Sequence, residues 1–75
     1  MTKLDLHRMK HSEAEASIIR VIEQHWDKPC EIEVITGNST KMKEIVISVV
    51  NEYGLRCSIG REFDSNKGYI IILMD

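Results

Sequence analysis

The sequence predicts a two-layer α/β sandwich of the α+β kind, in the order β-α-β-α-β-β, with two helices on one face of a four-stranded mixed sheet. Three observations lead there. Two stretches carry apolar residues at helical spacing, three short stretches alternate with the period of a half-buried strand, and the chain closes on a six-residue apolar run. Two helices are too few to cover both faces of such a sheet, so one face should stay open.

Each element has its own signal. Lys3 to His7 alternates polar and apolar, the period of a strand. Ser12-Glu13-Ala14-Glu15 has the S-x-x-E form of a capping box and is expected to start the first helix. Ala14, Ile18, Val21, Ile22 and His25 then fall on one stripe, and Pro29 stops any continuation beyond Trp26. Glu31 to Thr36 alternates as a second strand, and Gly37 to Thr40 is a turn of small polar residues. Met42, Ile45, Val46, Val49, Val50 and Tyr53 form the clearest helical stripe, with Gly54 where a helix favours its C′ residue. Leu55, Cys57 and Ile59 alternate as a third strand that buries Cys57. A loop of roughly eight residues, acceptable for a wide hairpin, leads to the strand Tyr69–Met74.

Composition sets the class. The chain of 75 residues is 43% hydrophobic and 29% charged, with one Pro and four Gly, which is ordinary for one globular domain spanning residues 1–75. A domain of this size buries only ~60% of the surface its unfolded chain exposes, so its stability margin is small. A net charge of −2 excludes a general nucleic-acid coat, leaving any such contact to a local basic patch. No stretch reaches the length of a membrane span and none resembles a signal peptide. Cys30 and Cys57 match no metal-ligand spacing and are expected as reduced thiols in a cytoplasmic protein, a disulfide being the alternative.

Chemistry gathers at one edge of this layout. Parallel strands end at a common edge, where open α/β sheets tend to bind ligands. Asp5 and His7 lie there on the outward side of the first strand, followed by Arg8, Lys10 and His11. The second strand ends in Thr36-Gly37-Asn38-Ser39-Thr40 and runs into a helix opening Lys41-Met42-Lys43. A helix N-terminus with free N–H groups suits an anion such as phosphate, and Arg8, Lys10, Lys41 and Lys43 add positive charge. The plainer reading is turn and cap chemistry beside a solvated strand face. Asp5, His7 and His11 have no helix or fixed loop to impose metal geometry, so no metal site is expected. The last strand is apolar on both faces, so either it is central and covered by long neighbours, or a second copy covers it as a homodimer.

The set Leu4-Asp5-Leu6-His7, a helix start followed by Glu-Ala, Ile35-Thr36-Gly37 before a helix, and a Gly before the final apolar strand resembles the Smr (small MutS-related) domain family from Leu4 to Leu73. The resemblance implies a fold similar to the C-terminal domain of bacterial translation initiation factor three. It also implies a nucleic-acid partner, with nicking of DNA, endonucleolytic cleavage of RNA, or binding alone. The family's L-D-x-H motif places a catalytic role on Asp5 and His7, and its T-G-x-G loop corresponds to Thr36 and Gly37. Arg8 and Ser39 stand where the family usually has glycine. Very short free-standing forms occur in phage and bacteria, so the chain is expected to be a whole protein. In the implied mechanism a phosphodiester sits at Gly37–Thr40, held by Arg8 with Lys41 or Lys43. His7 acts as general acid or base, and Asp5 orients it. No cofactor is expected, although Asp5 offers one carboxylate to a divalent ion. The alternative is a non-catalytic module that binds nucleic acid or protein through the same rim.

Overall fold

A computed structural model describes residues 2–61 and 63–74. Its elements are β1 (Thr2–Asp5), α1 (His11–Gln24), β2 (Cys30–Ile35), α2 (Thr40–Glu52), β3 (Arg56–Ile59) and β4 (Tyr69–Met74). They form an α+β fold with one four-stranded mixed sheet in the order β1-β2-β4-β3. β1 and β2 are parallel, and β4 runs antiparallel to both β2 and β3. β1, β2 and β3 therefore point the same way. The segments that leave them, beginning at residues 6, 36 and 60, start from one edge.

The core lies between the sheet and the helices. Ala14, Ile18 and Ile22 of α1 and Met42, Val46, Val49 and Val50 of α2 meet Leu6, Ile32, Val34, Ile70, Ile72 and Met74. Both helical stripes fall where the spacing placed them. α2 also ends as expected. Gly54 takes a φ of 68°, and the Leu55 and Gly54 N–H groups return to the carbonyls of Val50 and Asn51 at 3.0 and 3.1 Å. That is the Schellman closure a C′ glycine permits.

The start of α1 differs from expectation. The helix begins at His11, its cap is Lys10, and no side chain closes it. Ser12 thus sits inside the first turn rather than capping it. The cause is the tight exit from β1: Met9 N–H bonds the Leu6 carbonyl at 2.9 Å, and Glu13 and Ala14 N–H bond that of Lys10 at 3.0 and 3.1 Å. β1 likewise stops at Asp5, with Leu6 N–H making one more bond to the Ile35 carbonyl at 2.8 Å. His7 therefore belongs to the turn. Cys57 is half-buried rather than buried and Ile59 is 47% exposed, because β3 is the outer strand of the sheet.

The apolar last strand has its explanation in the strand order. β4 is internal, with Ile70, Ile72 and Met74 under the helices and Tyr69 and Ile71 on the opposite face, where they are only 7% and 2% exposed. Register sets Glu33 and Ser58 on either side of Ile71, and Glu31 and Arg56 on either side of Leu73. Glu33 pairs with Lys3 at 3.9 Å and Glu31 with Arg61 at 3.1 Å, so the neighbouring strands place long paired side chains beside the buried Ile71. One chain suffices to cover this face, and the need for a second copy there disappears.

Cys30 and Cys57 are free thiols on strands separated by β4. Two strand spacings amount to about 9.6 Å, beyond the ~7 Å that a disulfide spans between Cα atoms. Among the described residues, no helix is long and apolar enough to cross a membrane.

Candidate functional site

The site grows from the turn after β1. Leu6 is fully buried and anchors the turn, while Met9 packs against the core and its sulfur accepts the Ser17 hydroxyl at 3.3 Å. Between these anchors His7 is held out to solvent. Asp5 Oδ1 accepts its backbone N–H at 3.1 Å and also pairs with ring Nδ1. An ionised carboxylate can only accept, so Nδ1 must carry the proton, and in the neutral ring Nε2 keeps its lone pair. These contacts hold the Asp5 carboxyl below its ordinary pKa. The His7 side-chain bond contributes most, then the His7 N–H, with the charges of His7 and Arg8 adding less. The side chains of His7 and Asp5 are 41% and 55% exposed, so a large substrate can reach them. With Arg8, Met9 and Glu13 they line one open depression.

The other two loops lock against this turn. Gly37 takes a φ of 66°, and a Cβ there would lie 3.4 Å from the His7 Cβ. Thr36 and Gly37 N–H both bond the Gly68 carbonyl, at 3.0 and 2.9 Å. A Cβ on Gly68 would in turn lie 3.5 Å from the Gly37 backbone. His7, Gly37 and Gly68 thus stack the three edge loops in close contact.

The expected binding residues divide. Arg8 joins the pair directly. Thr36 is 1% exposed and its hydroxyl donates to the Gly37 carbonyl at 3.0 Å, so it serves the loop rather than a ligand. Ser39 is the N-cap of α2, its hydroxyl oxygen accepting Met42 N–H at 3.1 Å. Lys43 N–H bonds the Ser39 carbonyl at 3.1 Å, leaving the Thr40 and Lys41 N–H groups as first-turn donors without a helical acceptor. Asn38, Thr40 and Lys10 are exposed, and Lys43 is half-buried. Lys41 lines a groove between the helices with Glu15, Glu44 and Glu52, apart from the His7 depression. The cationic rim is therefore narrower than the sequence suggested, with Arg8 as its one member in the depression itself.

A second cluster, unseen in the sequence, lies on the open sheet face. The Tyr69 hydroxyl donates to Asp64 Oδ2 at 2.7 Å and accepts Arg61 N–H at 3.1 Å. Asp64 Oδ1 accepts Asn66 N–H at 2.9 Å, and Asn66 Oδ1 accepts Gly68 N–H at 2.9 Å. The Tyr69 bond is the main cause that lowers the Asp64 pKa and raises that of Tyr69. This network holds residues 64–68 so that Gly68 meets Gly37. Asp-x-Asn-x-Gly marks a turn in sequence, but its partner Tyr69 hydroxyl does not show there.

Among the described residues, no group of three or more His, Cys, Asp or Glu side chains gathers as a metal site. No protein-family model, curated protein or solved structure matches the chain.

Proposed function

We propose that the chain is a nucleic-acid-acting domain that cleaves phosphodiesters with the Asp5–His7 pair. The observation that carries this reading is the oriented, solvent-facing imidazole of His7, held by Asp5 beside Gly37. Nε2 of His7 takes a proton from the attacking hydroxyl or gives one to the leaving oxygen. Asp5 fixes the tautomer and stabilises the imidazolium. The phosphate rests toward the first-turn donors of α2, with Arg8 offsetting its charge. The resemblance of Leu4–His7 and Ile35–Gly37 to the Smr family supports the same substrate class. Free Cys30 and Cys57 fit a reducing, cytoplasmic setting. The test is cleavage of supercoiled plasmid and structured RNA by the wild type against His7→Ala.

A second reading, a non-catalytic nucleic-acid-binding module, is favoured by one observation. The depression is open and carries Glu13 on its wall, so it excludes water poorly. Salt-sensitive binding that persists in Asp5→Ala and His7→Ala, without cleavage by the wild type, selects that reading.

A further inference from the structure

Trp26 and Tyr53 stand at the edge of the molecule opposite His7. α1 and α2 both run back against the parallel strands, so their C-terminal ends come together there, and His25 confirms the placement by meeting Thr2, at the start of β1, at 3.1 Å. The two rings are 5.7 Å apart at an interplanar angle of 63°. Trp26 is 53% exposed although it is the largest apolar side chain available to the core. With Glu23 the rings line a surface hollow, and the Tyr53 hydroxyl donates to Glu23 Oε2 at 3.3 Å.

Negative charge beside these rings has two sources. Glu23 is in the hollow, and Glu52 acts with it on the Tyr53 hydroxyl, whose pKa is raised first by desolvation and then by these two carboxylates. The ends of two parallel helices add their partial negative charge. Neither helix has a basic residue in its last turn to offset that charge. The turn beyond carries one formal charge of each sign, Asp27 and Lys28. Nucleobase stacking on Trp26 would bring phosphates against Glu23 and Glu52, and a wholly apolar partner would strip water from the Glu23 carboxylate. A cation meets neither penalty. Its planar form fits best, because a guanidinium stacks flat on indole while its edge N–H groups reach a carboxylate. The hollow is shallow, which suits the tip of a side chain presented by a larger molecule.

We propose that Trp26, Tyr53 and Glu23 bind an arginine side chain of a partner polypeptide. This site is independent of the phosphodiester reading and would stand if that reading failed.

Trp26 is the one tryptophan of the chain, so its fluorescence reports the hollow directly. The full chain is titrated with three capped tripeptides, Gly-Arg-Gly, Gly-Lys-Gly and Gly-citrulline-Gly, the last carrying a neutral isostere of arginine. The arginine peptide gives a saturable change in emission, and the citrulline peptide binds about tenfold more weakly. Glu23→Gln, checked for native circular dichroism, weakens the arginine peptide about fivefold and leaves the citrulline peptide unchanged. Should that variant fail to fold, the Trp26 indole N–H resonance of the wild type must shift with the arginine peptide at about tenfold lower concentration than with the citrulline peptide. A response that does not saturate, equal responses to arginine and citrulline, equal responses to arginine and lysine, or indifference to Glu23→Gln overturns the proposal.

Discussion

The Asp5 carboxylate holds His7 twice, through the backbone N–H at 3.1 Å and through ring Nδ1. Both contacts use Oδ1, so one oxygen fixes where the residue sits and which way its ring faces. This pair has a pH signature. The folded-state pKa of Asp5 is lowered, so its contribution to stability is fully present above the unfolded carboxylate pKa and is lost as pH falls through the lowered value. Urea denaturation at pH 7 and pH 3 should show a smaller acid-induced loss in Asp5→Asn than in wild type. Asp64 shifts in the same direction, so some loss remains.

Gly37→Ala should destabilise the domain and disturb the site together. The residue sits at φ 66°, and the added methyl would press on the His7 Cβ from 3.4 Å. A left-handed conformation costs a residue with a Cβ about 1–2 kcal/mol. Chemical denaturation should register a loss of about that size, and the His7 ring resonances should shift.

Tyr69→Phe removes the hydroxyl that joins Asp64 to Arg61 N–H. It also leaves the Arg61 N–H without that acceptor, so urea denaturation should show a lower unfolding free energy than wild type. The Asp64 carboxyl should return toward its ordinary pKa, as carboxyl NMR titration would record.

Cys57 should react slowly with iodoacetamide in the native protein. Burial raises its thiol pKa, and alkylation follows the thiolate fraction. Under mild oxidation no bond to Cys30 should form, since β4 lies between the two strands. Non-reducing electrophoresis and mass mapping check both points.

The fold was largely legible because its signals are local and periodic. The stripes Ala14–Ile18–Ile22 and Met42–Val46–Val50 need only 3.6-residue spacing to be read, and Gly54 marks a C′ position by itself. Ser12 misled because a capping box reports only local preference, and the tight exit after Leu6 starts the helix earlier. The two-sided apolar β4 was ambiguous until the order β1-β2-β4-β3 set it inside the sheet. Of the site, Asp5, His7 and Gly37 were legible as motif positions. The positions of Lys41 and Glu13, and the Gly68 carbonyl that ties the loops, depend on how distant segments pack and leave no periodic trace.

The most direct measurement compares wild type and His7→Ala on supercoiled plasmid and structured RNA, each with and without Mg²⁺ or Mn²⁺. General acid–base participation contributes about 10²–10⁴-fold, so the account predicts that wild type cleaves at least one substrate about a hundredfold or more faster than a folded His7→Ala. Equal rates for the two proteins on every substrate and metal condition would contradict it.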